Sequence, residues 1–122
     1  MSRDIFDFLA GRIAEDERAA RRAAGRTNGV WQESGSRIFC NGGMITAAWS
    51  DDAEHIARHD PARVLAECAS KRAIIAEHKP DWAGPVCVRC RFIGGYVESP
   101  CPTVRALASV YVSHRDYLKE WA

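Results

Sequence analysis

The chain has 122 residues, 47% of them apolar and 27% charged, with a formal net charge of +1. That size fits one domain able to bury roughly two thirds of its unfolded surface, and the composition excludes a disordered chain. The near-neutral balance gives no bulk attraction to DNA or to an anionic membrane, and no apolar stretch approaches the ~18–20 residues that span a bilayer.

Residues 4–24 read as an amphipathic helix: Ile5, Phe6, Leu9 and Ile13 recur at helical spacing, Asp4 or Ser2 is placed to cap the start, and Gly25 to end it. Its second half has no large apolar residue, and acids precede bases, with Glu17 four before Arg21. That pattern reads as a solvated face. A phosphate-contacting use of Arg18, Arg21, Arg22 and Arg26 would be blunted by Glu15, Asp16 and Glu17.

Between 29 and 49 come three short runs, Val30-Trp31-Gln32, Arg37-Ile38-Phe39-Cys40 and Met44-Ile45-Thr46-Ala47, separated by Ser34-Gly35 and Asn41-Gly42-Gly43. Asn-Gly between β-prone runs signals a hairpin, so an antiparallel meander is predicted. Ser50-Asp51-Asp52 then caps a short helix over 51–59. It carries His55 and His59 on one face, one expected to be partly buried and the other exposed. The spacing is that of a metalloprotease helix, but position 56 is Ile, and the motif lacks its general base. Asp60-Pro61 opens the next helix, as N-cap and first residue. Val64, Leu65, Cys68, Ala69 and Ile75 form its inward stripe, and it ends near His78, ahead of Lys79-Pro80. Cys68 is read first as core, and Cys40 as a small half-buried hydrophobe beside a turn.

The segment that carries chemistry runs from His78 to Cys101, with the spacing His-x8-Cys-x2-Cys-x10-Cys. Met1-Ser2-Arg3-Asp4 has an acid where a secretion signal would be basic, so the expected compartment is the cytoplasm. There, five cysteines suit metal ligands and free thiols better than disulfides. Cys87-Val88-Arg89-Cys90 resembles the knuckle of a zinc ribbon or treble clef, in which backbone amides support the thiolates. Cys101 precedes Pro102 and an apolar helix over 104–111 with Leu107, Val110 and Tyr111 turned inward, and a thiolate at a helix start is favoured by the helix dipole. The expected cofactor is a structural Zn2+ on Cys87, Cys90, Cys101 and His78, with His59, His55, His114 and Cys68 as alternatives for the fourth place. Ser113, with Asp116 three residues on, is read as the cap of a last helical turn that packs Tyr117, Leu118 and Trp121 inward.

The segments His55-Ile-Ala-Arg-His59-Asp-Pro-Ala-Arg-Val-Leu65, Ile74-Ile75-Ala-Glu-His78, Cys101-Pro-Thr-Val-Arg-Ala-Leu107 and Asp116-Tyr117 resemble a family of small proteins of unknown function, domain of unknown function 6221, found in actinobacteria and their phages. The resemblance covers nearly the whole chain and implies a cytoplasmic, host- or phage-encoded protein. It implies no activity.

The expected fold is α+β in a single domain, 1–122. It comprises an N-terminal helix (1–26), a β meander (29–49), helices (51–78), and a zinc-stapled C-terminal segment of knuckle and helices (78–122). The expected function is a non-enzymatic binding or regulatory protein acting on another protein. Aromatic residues Trp31, Trp49, Trp82 and Tyr96 in loops or at strand ends support it, each weighed against ordinary core packing. Further contact residues are His55, His59, Arg89 and Arg91. The alternatives are nucleic-acid binding through Arg89, Arg91, Lys79 and Arg105, and a metal-dependent hydrolase or nuclease centred on His55 and His59 with Asp60 or His114.

Overall fold

The computed structural model describes residues 4–41, 43–82 and 84–122. The fold is α+β. Helix α1 covers Ile5–Ala24; strands β1 (Gln32–Ser34), β2 (Arg37–Cys40) and β3 (Gly43–Ala47) follow; then come α2 (Ser50–Arg58), α3 (Pro61–Glu77), α4 (Pro102–Ser109) and a 3-10 turn over Lys119–Trp121. The chain forms two compact units. One comprises the N-terminal residues through Ile13 together with Ser70–Ala122, and the other is Ala14–Ala69.

In the first unit, the Asp4 carboxylate accepts the Phe6 amide at 2.8 Å and so caps α1; Ser2, the other expected cap, lies outside the described residues. Ile5, Phe8, Leu9 and Ile13 are buried with Ile75, Val104, Ala108 and Trp121, an apolar stripe repeating every three to four residues; Phe8 takes the buried place expected of Phe6, which is half-buried. Phe8 is the centre of an aromatic cluster, with the Trp121, His114, Tyr117 and Tyr111 rings 5.0, 5.6, 6.0 and 6.2 Å away. The expected Ser113 cap does not form. Residues 110–116 are turns, and the last helical turn is the 3-10 segment after Leu118, without a side-chain cap. The pull of Trp121 onto Phe8 is a long-range contact that local capping signals do not encode. Val110, expected inward, is exposed, and the buried positions of α4 are Val104 and Ala108.

In the second unit, α1 ends where Gly25 turns to φ +58 while its amide still reaches the Arg21 carbonyl at 3.0 Å. The three strands form one antiparallel sheet in the order β1-β2-β3, with Glu33 opposite Ile38 and Ile38 opposite Thr46. A register shift falls between Ile38 and Phe39. The first strand begins two residues later than the Val30-Trp31-Gln32 run, because the Trp31 amide is taken by the Asp60 carboxylate at 3.0 Å instead of a ladder partner. The same carboxylate accepts the Arg63 amide at 2.8 Å, so Asp60 caps α3 and anchors the entry to the sheet at once. Gly29 is required beside it: it sits at φ +74, and an added Cβ would lie 3.1 Å from the Pro61 Cβ. The Gly42 part of the expected Asn-Gly turn lies outside the described residues; Asn41 takes φ +52.

Three further expectations are corrected here. Ser50 is the first residue of α2 rather than its cap; Trp49 precedes the helix with no side-chain cap. Ala69 is exposed, so the inward stripe of α3 narrows to Cys68 and Ile75, with Val64 and Leu65 half-buried. His55 and His59 are both exposed, since the buried residue of their helix is Ala53. Among the described residues no helix is long and apolar enough to cross a membrane.

Candidate metal centre

Helix α3 ends at Glu77, and Pro80 prevents its continuation, so His78 leaves the helix as its last backbone bond closes, amide to the Ile75 carbonyl at 3.1 Å. Among the described residues from there to Pro100 there is no regular helix or strand, and isolated pairings hold them, Pro80 with Cys87 and Val86 with Glu98. The Cys87 amide donates to the Val97 carbonyl at 2.8 Å and the Val88 amide to the Lys79 carbonyl at 3.0 Å. These bonds press the knuckle against the residues that follow His78. Cys101 stands at the N-cap position of α4 with Pro102 after it and makes no side-chain capping bond.

The outcome is a cluster. Nδ1 of His78 lies 3.4 Å from Sγ of Cys87, 3.4 Å from Sγ of Cys90 and 3.5 Å from Sγ of Cys101. All four ligand atoms lie within 4.8 Å of one another, so the group could hold a metal ion. One ring nitrogen makes one good hydrogen bond, not three to separate sulfurs. Around a tetrahedral ion with metal–sulfur and metal–nitrogen bonds of about 2.3 and 2.05 Å, however, each N···S edge is roughly 3.5–3.6 Å. The three observed distances are close to that value. Cys87 and Cys101 have no exposed surface, and Cys90 is half-buried.

The electrostatics point the same way. Burial pushes the Cys87 thiol up, but the Arg89 amide, the His78 ring, the Cys90 amide and the Cys90 thiol support its thiolate and together bring it down to about 7. Cys90 is pushed up to about 11, first by its bond to Cys87, then by burial and by Cys101. Sulfurs this close resist ionising together unless a cation is shared among them. A divalent ion would relieve that conflict.

Of the histidines and cysteines weighed for the fourth position, His78 is the one gathered with the three sulfurs, and this is the one such group among the described residues. His114 instead lies against the Arg12 guanidinium, with Nε2 2.7 Å from Nη1, and against the Phe8 ring. Cys68 is buried in α3, and the His55 and His59 rings lie beside each other, tilted, with centroids 4.4 Å apart. The knuckle arginines are engaged: Arg89 pairs with Glu77 and Arg91 with Asp81. Lys79 lies over the Phe6 ring at 4.8 Å. Trp82 is 98% exposed.

A feature not singled out from the sequence is the tip of the knuckle. The amides and carbonyls of Phe92 and Gly95 bond to each other at 3.3 and 3.1 Å, and Gly94 turns at φ +86. The Phe92 ring covers Gly95 so closely that a Cβ there would collide with it. Ile93 at the apex is fully exposed, Phe92 is 61% exposed and Tyr96 63%. The signal was present: an apolar pair directly on a Gly-Gly turn has no core to face.

The whole-chain pattern now has a counterpart among known proteins. The chain belongs to a family of unknown function, DUF6221. The family model matches residues 2–122, so α1, the sheet and the candidate metal ligands all fall within it. No curated protein and no solved structure matches the chain significantly.

Proposed function

We propose that His78, Cys87, Cys90 and Cys101 bind one structural Zn2+, and that the zinc-stapled knuckle is the contact surface of a non-enzymatic binding protein. Three thiolates and an imidazole form a closed donor set of the kind used by structural zinc, with every place of a tetrahedron filled by protein and none left for substrate or attacking water. The zinc would hold the end of α3, the knuckle and the start of α4 together.

The observation that carries the binding role is the exposure of large apolar side chains on the one segment that a metal would rigidify: Trp82, Val88, Phe92, Ile93 and Tyr96. Exposed aromatic and branched residues on a preorganised loop suit recognition, because little conformational freedom is lost on contact. The partner is a protein, and the role is that of an accessory or regulatory factor acting on a host or phage component in the cytoplasm. The nucleic-acid reading has less support, since three of its four cations, Arg89, Arg91 and Lys79, are already engaged.

The test is a pull-down from the native host with the zinc-loaded chain and with Ile93→Asp. The expected result is a protein retained by the parent and lost by the variant, with zinc content and melting temperature unchanged. Equal retention by both removes the knuckle from recognition. A mobility shift of random DNA that weakens steeply with salt would transfer the function to nucleic acid.

A further inference from the structure

His55 and His59 lie four residues apart, at the last turn and C-cap of α2. Both are exposed. Their ring centroids are 4.4 Å apart with planes inclined by 36°, so the two imidazoles already share one patch of surface. His59 Nδ1 lies 2.9 Å from the His55 carbonyl oxygen. A carbonyl only accepts, so Nδ1 carries the proton, and the neutral ring presents Nε2 as an unprotonated donor. A ring nitrogen tied to a backbone carbonyl in this way is the outer-shell arrangement that orients metal-binding histidines. The site also sits at the carbonyl end of a helix, where the backbone dipole favours a cation. Its acidic neighbour Glu54 is engaged with Arg58.

We propose that His55 and His59 form a second, surface metal site: a two-imidazole chelate for a borderline divalent transition ion such as Ni2+, Cu2+ or Zn2+. Imidazole donors select this class over Mg2+ and Ca2+, which take oxygen ligands. Two protein ligands fill only part of a coordination shell, and no third ligand group joins them among the described residues. The remaining places fall to water or to a donor from a partner, so the ion is exchangeable where the thiolate site is closed. The inference does not depend on the zinc reading, because it uses neither its residues nor its segment.

The experiment is titration of the full, thiol-reduced and zinc-supplemented chain with Ni2+ by calorimetry. The parent is expected to take up one Ni2+ per chain. His55→Gln and His59→Gln should each weaken that binding by about tenfold or more, as loss of one arm of a chelate requires. The double variant should abolish it, and His114→Gln should leave it unchanged. Both substituted side chains are exposed, so circular dichroism should show the same fold throughout. As a second measurement, Ni2+ should raise the melting temperature of the parent and not of the double variant. Equal Ni2+ affinity in parent and double variant, or no binding up to millimolar Ni2+, overturns the proposal.

Discussion

Replacing Cys101 by Ala tests the proposed metal centre at one of its two fully buried cysteines. Changes to residues that merely support a ligand cost 10–100-fold in metal affinity, so loss of a direct ligand should cost at least about 100-fold, or about 2.7 kcal/mol. The sulfur has no exposed surface, and removing its burial adds about 1 kcal/mol. The total is about 4 kcal/mol. A chain of 122 residues gains about 0.26 kcal/mol/K of unfolding entropy, so the melting temperature should fall by about 15 °C. Cys101→Ser should lose the metal equally but melt somewhat higher than the Ala variant, because Ser at this N-cap position can bond an α4 amide, worth about 1 kcal/mol, where Cys101 makes no such bond. Cys68→Ala, at a cysteine outside the ligand group, should keep the metal and lose only the ordinary cost of a small core truncation. Calorimetric melting with metal analysis of the same samples reads all four proteins. If Cys101→Ala keeps one zinc per chain and melts within about 4 °C of the parent, the four-ligand reasoning is wrong.

Zinc uptake by the metal-free chain should also release protons. With Cys90 held up at about 11 and Cys87 brought down to about 7, Cys90 is protonated through the neutral range and must lose that proton to ligate. Apparent affinity should therefore rise about tenfold per pH unit from this thiol alone between pH 7 and 11, and more steeply below pH 7, where Cys87 also protonates; a competition assay with a chromophoric chelator measures the slope, and a flat profile contradicts the thiolate assignment. Asp60→Ala removes the α3 cap and strands the Trp31 amide, a combined loss of about 2–4 kcal/mol that urea denaturation would read as a lower midpoint with an unchanged slope. Gly29→Ala forces a side chain to φ +74 with its Cβ 3.2 Å from the Ala62 nitrogen; it should cost about 1–3 kcal/mol in the same assay, and a neutral result would show that the loop relaxes freely.

The parts of this protein legible in its sequence are those whose cause is local. The Gly25 stop, the Asp60-Pro61 start and the thiol-imidazole spacing each lie within a few turns of chain, and each appears where expected, as do Ile5, Leu9 and Ile13 of the α1 stripe. Placement failed where a distant group decided it. The Trp31 amide was claimed by a carboxylate 29 residues away, which moved the first strand. Trp121 found Phe8, which replaced a Ser113-capped turn with a 3-10 turn. Trp49 and Trp82, for which core packing was the competing reading, are exposed, and nothing in their immediate neighbours distinguishes an outward indole from an inward one. The pairing of Arg89 with Glu77 and of Arg91 with Asp81 likewise joins residues that no short motif connects.

The discontinuous unit has a consequence for how the protein is made. Residues through Ile13 share a unit with Ser70–Ala122, and Ala14–Ala69 is complete within the intervening stretch. On the ribosome, the inserted portion has all its residues while Phe8, Leu9 and Ile13 still wait for Val104, Ala108 and Trp121 to be synthesised. Nascent chains stalled before residue 100 should therefore bind chaperones through that early helix, and release should follow once Trp121 has left the exit tunnel.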